Sequence, residues 1–224
     1  MKLTALISAA ILVSAGAAFA ADTDAGTAGA STTETNSQPT AIYVAHLHPL
    51  NTKVTGLETT GEARFSIAGD KLTISVNAQK LPPNMMHLQH FHGFKDNRDA
   101  TCPAEAADKN HDGIIDLIET EPTSGTTMVP FHDDPVSMEI VRDTYPKAGA
   151  DGTFQYQKTV SLKDLEAAFA KAFGDKELDL DRRVVFIHGI LPSTKLPASV
   201  ASLGTIPAQV TLPIACGEIK RVQQ

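Results

Sequence analysis

Three histidines lie close together in the segment Met86–His92, which reads Met-His-Leu-Gln-His-Phe-His. If this segment is a β-strand, His90 and His92 point to one face and His87 to the other, because side chains alternate along a strand. A His-x-His pair on a strand can chelate a metal. Imidazole suits copper and zinc, and a planar set of nitrogens favours Cu(II). The alternative is an exposed strand whose histidines bind nothing.

A second candidate metal site is the acidic segment 108–119. It has the spacing of an EF-hand calcium loop, with acids or amides at loop positions 1, 3, 5 and 9, glycine at 6 and glutamate at 12. The alternative is a solvated loop without metal. A regulatory sensor is disfavoured, because Pro103 leaves about one turn before the loop and Pro122 is expected to end any helix soon after it. The predicted calcium ligands are Asp108, Asn110, Asp112, the Ile114 carbonyl, Asp116 and Glu119.

Further motifs follow the histidine segment and occur near the end of the chain. Residues 86–94 are followed by Lys-Asp-Asn at 95–97 and by Cys102, and residues 214–217 read Ile-Ala-Cys-Gly. These motifs resemble the copper/zinc superoxide dismutases, whose first copper strand reads Leu-His-Gly-Phe-His-Val-His-Glu-Phe and whose last strand ends Leu-Ala-Cys-Gly. The resemblance implies a disulfide between Cys102 and Cys216. Two cysteines in an exported chain also favour a disulfide, with free buried thiols as the alternative.

Two further histidines match motifs of this family. The sequence His-Asp-Asp-Pro at 132–135 resembles the motif of the histidine that bridges copper and zinc, apart from an aromatic residue. Residues 183–188 have the spacing of a family strand that ends in histidine, while His87 corresponds to a structural histidine that ties a loop to the barrel. The resemblance covers residues 41–222, and residues 60–92 are also similar to CHRD domains. It implies four copper ligands: His90, His92, His132 and His188.

The family pattern is incomplete in two places. No histidine occurs between Pro135 and Arg182, where the family supplies further zinc ligands, so a copper-only centre without zinc is expected, with His132 freed from bridging. Pro213 stands where the family has an arginine that binds the incoming anion. Loss of that guanidinium should lower the rate of any dismutation, unless Arg182 or Arg183 replaces it.

Other candidate ligands are better explained without a metal. His46 and His48 share one face of a strand, where solvent-facing residues are expected. The thioethers of Met85, Met86 and Met128 could contact Cu(I), but core filling is the better interpretation of all three.

The elements that must position these residues are mostly strands. Alternating or short apolar runs separated by Gly and Asp turn signals indicate an antiparallel all-β sandwich or barrel, and the resemblance adds a Greek-key order. One helix is expected at 162–173, after the capping residue Ser161 and before Gly174, and a long loop is inserted between Cys102 and His132. Besides the histidine strand, the predicted strands are 42–47, 63–67, 72–76, 154–160 and 184–187.

The first twenty residues predict export. Lys2 precedes an apolar run, and the segment ends in the Ala-x-Ala pattern of a signal-peptidase site, so residues 1–20 are expected to be a signal peptide of a periplasmic protein. Residues 21–40 lack large apolar side chains and are expected to be a disordered leader, followed by one domain at 41–224. The net charge of −7 disfavours nucleic acid and anionic lipid as partners, and no other apolar run is long enough to span a membrane.

Two functions fit these features. The first is a copper-only superoxide dismutase, an antioxidant oxidoreductase whose substrate is superoxide. The second is a non-enzymatic protein that buffers copper or exchanges it with copper-handling proteins. Retention of four copper histidines favours the first function and Pro213 favours the second, while a structural relative of the CHRD type is a third possibility. The sequence contains no signal for an oligomeric state.

Overall fold

A computed structural model describes residues 38–174 and 177–222. In this part of the chain, eight antiparallel strands form one curled sheet in the order β5-β4-β7-β8-β1-β2-β3-β6. The predicted signal peptide, and the predicted leader up to residue 37, lie outside the described residues. The strands are β1 (Ala41–Pro49), β2 (Thr60–Ala68), β3 (Lys71–Gln79), β4 (Gln89–Gly93), β5 (Thr126–Pro130), β6 (Phe154–Ser161), β7 (Val184–His188) and β8 (Pro213–Val222).

The sheet has two halves, which meet where β1 pairs with β8. One half contains β1, β2, β3 and β6, and the other contains β5, β4, β7 and β8. The chain crosses between the halves from β3 to β4, from β5 to β6 and from β6 to β7, which gives connections of the Greek-key type. The predicted all-β, antiparallel Greek-key sandwich or barrel is therefore confirmed.

The hydrophobic core lies between the two halves and fixes the orientation of β4. Phe65 from β2 and Phe91 from β4 are fully buried, and their ring centroids are 6.5 Å apart in an edge-to-face arrangement. Burying aromatic rings of this size is a major contribution to core stability. Because side chains alternate along a strand, the inward position of Phe91 directs its neighbours His90 and His92 to the opposite face of β4.

Four α-helices occur among the described residues, namely α1 (Thr52–Thr55), α2 (Leu117–Ser124), α3 (Leu162–Phe173) and α4 (Ala208–Thr211). The predicted helix is α3. The Ser161 side chain accepts the Asp164 N–H at its start, and Gly174, with φ +85°, ends it. Leu165 and Phe169 pack into the core. None of the helices described between residues 38 and 222 is long and apolar enough to cross a membrane.

Helix α2, which follows the acidic loop, is longer than expected. Asp116 caps it by accepting the N–H groups of Ile118 and Glu119, while the Glu119 side chain accepts the Asp116 N–H at 3.1 Å. The helix continues through Pro122 to Ser124, so the expectation that Pro122 ends it was wrong. The proline removes one hydrogen bond to the Ile118 carbonyl, while the Asp116 and Glu119 cap stabilises the start of the helix.

The histidine strand is shorter than predicted. β4 begins at Gln89, and Met86 makes only an isolated bridge to Lys147. The cause lies in β7, which ends at His188 because Gly189, with φ +109°, turns the chain away. His87 therefore precedes the strand instead of occupying its opposite face.

The predicted disulfide is confirmed. A bond joins Cys102, in the segment after β4, to Cys216 on β8, across 114 positions of sequence. It ties the inserted loop to the half of the sheet that contains β4 and β7.

Candidate metal centre

Three of the four predicted copper ligands meet on one face of the sheet. His90 and His92 lie on β4, and His188 ends the neighbouring strand β7. One ring nitrogen from each lies within 4.8 Å of the others, and all three residues are buried. The ring centroid of His90 is 4.8 Å from that of His92 and 4.6 Å from that of His188.

The hydrogen bonds of the rings show which nitrogens face the centre of the cluster. His92 Nδ1 lies 3.2 Å from the Gly125 carbonyl, and His188 Nδ1 lies 2.7 Å from the Thr211 carbonyl. A carbonyl only accepts, so both Nδ1 atoms carry hydrogen, and in the neutral rings both Nε2 atoms carry a lone pair that can accept a hydrogen bond or bind a metal. His92 Nε2 lies 3.0 Å from His90 Nδ1, while His188 Nε2 is buried with no hydrogen-bond partner among the described residues.

Burial also keeps these imidazoles neutral. It lowers the pKa of His92 to about 3 and that of His188 to about 4, and it holds the pKa of His90 well below its ordinary value. Repulsion from the His188 charge lowers the pKa values of His90 and His92 further. At neutral pH the cluster is therefore a set of uncharged nitrogen donors, which is the state that binds a metal.

The cluster fits a copper or zinc ion by the chemistry of its donors. The orphaned His188 Nε2 is costly without a partner, and the rings of His92 and His188 are each oriented by an Nδ1–H bond to a backbone carbonyl, which is typical of metal-ligating histidines. Gly125, which provides one of these carbonyls, has φ +73°, and a Cβ there would lie 2.1 Å from the Gly93 oxygen. Only glycine fits this position without a shift of the backbone.

The structure does not bring the fourth predicted ligand, His132, into the cluster. His132 Nε2 donates to the Glu139 carbonyl at 2.7 Å, and His132 Nδ1 accepts the Asp134 N–H at 3.0 Å. The ring also packs edge-on against Tyr145. Both nitrogens are thus engaged in the loop that follows β5, and copper binding by His132 stays a prediction that would require this loop to rearrange.

His87 has the structural role that the resemblance implied. Its two ring nitrogens lie 2.9 Å from the carbonyls of Pro82 and His188. The ring therefore links the segment before β4 to the end of β7, next to a clustered histidine.

A small cavity of about 130 Å³ adjoins the cluster. Sequence reasoning missed three of its polar residues, Thr127, Arg142 and Thr211, because nothing in their local sequence sets them apart. The cavity is lined by Met86, Leu88, His90, Leu117, Thr127, Ile140, Val141, Arg142, His188, Leu203, Ile206, Val210 and Thr211.

Arg142 is the one cationic side chain of this lining, and acidic groups surround it. Its guanidinium lies 3.6 Å from Asp133, 3.8 Å from Asp134 and 3.4 Å from Glu139. Three carboxylates against one guanidinium leave this part of the wall with a net negative charge.

The two arginines proposed to replace the missing anion-binding residue do not line the cavity. Arg183 is buried, and its guanidinium holds the Leu178 and Phe94 carbonyls. Arg182 lies 3.9 Å from Asp99. Pro213 is buried opposite His188 in the ladder between β7 and β8, so its position does adjoin the cluster.

Hydrogen bonds between side chains and backbone N–H groups close the predicted calcium loop on itself. Asp108 accepts the N–H groups of Asp112 at 3.2 Å and Gly113 at 2.9 Å, and Gly113 has φ +83°. Glu119 accepts the Lys109 N–H at 2.7 Å. Among the described residues, however, the histidine cluster is the one group of three or more His, Cys, Asp or Glu side chains close enough to hold an ion. Calcium binding by this loop stays a prediction.

None of the other candidate ligands, His46, His48, Met86 and Met128, belongs to the histidine cluster. His46 and His48 are exposed, and His46 lies 3.7 Å from Glu62. Met128 is buried in the core, whereas Met86 lines the cavity beside two clustered histidines.

Comparison with known proteins finds similar chains among solved structures. No protein-family model matches the sequence, and no curated protein matches it. Among solved structures, the chain is similar to a Cu/Zn superoxide dismutase from Brucella abortus at 20% identity, with a TM-score of 0.38, over 80% of this chain and 99% of that one.

Proposed function

We propose that this protein binds copper through His90, His92 and His188 and dismutes superoxide at that site. The observation that carries the proposal is the buried group of three neutral imidazoles, within which His188 Nε2 has no partner among the described residues. Bound copper would supply one-electron chemistry: one superoxide gives up an electron and leaves as O₂, and a second takes up that electron and two protons to form hydrogen peroxide.

The chain's own contribution is to orient and shield the site. The carbonyls of Gly125 and Thr211 fix the rings of His92 and His188, so little reorganisation is needed when the metal binds. Three nitrogens suit Cu(I), and recruitment of His132 would complete a four-nitrogen set for Cu(II). Zinc is not expected, because the chain has no histidine between Pro135 and Arg182.

A second function, copper buffering without turnover, is favoured by the wall of the cavity. Its guanidinium, on Arg142, faces three carboxylates, and Pro213 stands in place of the family's arginine. Both features weaken attraction of an anion. In that case the partners would be copper-handling proteins rather than superoxide.

Copper content, Cu(II) electron paramagnetic resonance and superoxide dismutation, measured on one copper-loaded sample, test both functions. The variants are His188→Gln and, as matched control, His46→Gln on the exposed strand β1. We expect one copper per chain with nitrogen ligation, loss or alteration of the signal in His188→Gln, and no change in His46→Gln.

The outcomes separate the proposals. Copper binding with no dismutation above that of His188→Gln would favour buffering. Equal copper signals in wild type and His188→Gln would reject this site altogether.

We also propose one structural calcium ion in the loop 108–119. In support, the loop is fixed to its surroundings: the Asn51 amide donates to the Ile115 carbonyl at 2.8 Å and the Pro213 carbonyl at 2.9 Å, and Asp116 accepts the Ala201 N–H. Leu117, which begins α2, lines the cavity beside the histidines. Calcium would therefore stiffen part of that wall.

Export to the periplasm through residues 1–20 is likewise proposed, and the disulfide supports it because such bonds persist in oxidising compartments. Nucleic acid and membranes are not expected as partners. N-terminal sequencing of periplasmic material should begin near Ala21.

A further inference from the structure

We infer that the Met86 thioether is a soft ligand for Cu(I) beside the histidine cluster, so that the reduced ion is held by imidazole nitrogens and one sulfur. This role rests on the proposed copper site, because the cluster must bind the ion before a further ligand can reach it. Met86 is then a metal ligand outside the histidine set, and one that selects the oxidation state of the ion.

The first observation is the place of the Met86 side chain. Core filling is the expectation for both Met86 and Met128, and Met128 meets it, with 1% of its surface exposed in the core. Met86 is instead half-buried, and it lines the cavity of about 130 Å³ that His90 and His188 also line. The methionine side chain therefore shares a small space with two of the three clustered histidines.

The second observation is how the backbone holds Met86 beside the cluster. Met86 and His90 are four positions apart and both line the cavity, as side chains on one face of an extended segment do. The Met86 backbone pairs with Lys147 in an isolated bridge, and the Nδ1 atom of the next residue, His87, lies 2.9 Å from the His188 carbonyl. The backbone around Met86 is thus fixed next to the end of β7. Because methionine has three rotatable side-chain bonds, its sulfur can turn toward the cluster while the backbone stays in place.

The third observation is the set of donor atoms that the cavity offers. Most of the lining is aliphatic, including Leu117 and Ile206, and none of the described lining residues carries a carboxylate. Apart from two threonine hydroxyls, the metal-binding side-chain atoms of this lining are the imidazole nitrogens of His90 and His188 and the Met86 sulfur. A thioether is a soft ligand that selects Cu(I), whereas Cu(II) prefers nitrogen and oxygen donors. The donors beside the cluster therefore favour the reduced ion.

Packing is the alternative role for Met86, because methionine also fills irregular gaps between side chains. Met86→Leu separates the two roles, since leucine keeps an apolar side chain of similar size but has no sulfur. Met85→Leu is the matched control. Met85 is the adjacent residue and is also half-buried, but it does not belong to the described lining of the cavity.

The affinities of the protein for the two oxidation states are measured separately, for Cu(I) by anaerobic competition with bicinchoninate and for Cu(II) by competition with nitrilotriacetate. Loss even of an outer-shell partner typically weakens metal binding about 10–100-fold, so loss of a direct ligand should weaken Cu(I) binding at least about tenfold in Met86→Leu. We expect unchanged Cu(II) affinity in Met86→Leu and unchanged affinities for both ions in Met85→Leu. The reduction potential of the bound copper should fall in Met86→Leu by about 59 mV for each tenfold loss of Cu(I) affinity.

X-ray absorption at the copper edge gives a readout that needs no variant. The Cu(I)-loaded wild type should show a sulfur scatterer next to copper, and so should Met85→Leu, whereas Met86→Leu should show nitrogen alone. The two cysteines of the chain, Cys102 and Cys216, are joined in a disulfide, so methionine is the expected source of a sulfur ligand.

The contrary results are distinct from one another. A wild-type Cu(I) spectrum without sulfur overturns the inference and leaves the histidine site intact, and this holds even if Met86→Leu fails to fold. Equal Cu(I) affinity in Met86→Leu and wild type overturns it too. Equal weakening in Met86→Leu and Met85→Leu would assign the effect to packing and reject the ligand role. If wild type takes up no copper in either oxidation state, the proposed function fails and the inference falls with it.

Discussion

Acid should destabilise the copper-free protein through its buried histidines. In the folded chain, burial holds the pKa of His92 near 3 and that of His188 near 4, and lowers that of His90 well below 6.5. In the unfolded chain each pKa returns to its ordinary value near 6.5. Below pH 6.5 the unfolded state therefore binds more protons than the folded state, and the free energy of unfolding falls with pH until the folded pKa values are reached.

The size of the effect follows from these values. At pH 5.0 the unfolded histidines are almost fully protonated and folded His92 and His188 are almost fully neutral, so each of these two costs about 2 kcal/mol relative to pH 7.5. His92 and His188 together should lower the free energy of unfolding by about 4 kcal/mol over this interval, and His90, whose pKa burial also lowers, acts in the same direction. The result is insensitive to the exact folded pKa, because protonation of folded His92 and His188 begins below pH 5.

Urea denaturation in the presence of a copper chelator, at pH 7.5, 6.5, 5.5 and 5.0, measures this dependence. His188→Gln cannot take up the proton, so it should lose about 2 kcal/mol less than wild type between pH 7.5 and 5.0. His46→Gln is the matched control, because the His46 side chain is 73% exposed. If His188→Gln and His46→Gln show the same pH dependence, the assignment of depressed pKa values to the cluster is wrong.

Three other changes test the surroundings of the site. Replacing Cys102 and Cys216 together by alanine opens a loop of 114 positions and should lower the free energy of unfolding by about 5 kcal/mol in urea titrations; an unchanged midpoint would contradict the chain-entropy argument. Calcium should raise the melting temperature of wild type but not of Glu119→Gln, and equal responses would exclude the loop as a site. Gly125→Ala should lower the free energy of unfolding by about 2–4 kcal/mol and weaken copper binding, because the alanine Cβ meets the Gly93 oxygen. Wild-type stability and wild-type copper affinity in this variant would show that Gly125 does not hold His92 in place.

Much of the fold could be predicted because its signals are local. Alternation of apolar residues predicts β2, β3 and β6, and the Ser161 cap and Gly174 stop define α3. The motifs around His90, His92 and His188 place them on adjacent strands, and the structure brings them together.

The rest depends on contacts between distant segments. His132 is held by the way residues 133–146 fold over it, and no periodic pattern describes that loop. Thr211 orients His188 only because α4 lies over the end of β7, where the Thr211 carbonyl accepts the His188 Nδ1–H. The start of β4 was misplaced for a related reason, since the end of its partner strand at His188 determines it.

The pairing of β1 with β8 also sets an order of assembly. Ile42 pairs with Val222, so this contact joins positions about 180 residues apart and carries a large loop-closure entropy. It is expected to form late, and β8 also supports β7, which ends in His188. Until β8 docks, the chain would offer only His90 and His92, a two-nitrogen chelate. Only chains with a complete sheet would then bind the metal tightly, and incompletely folded chains would compete poorly for the ion.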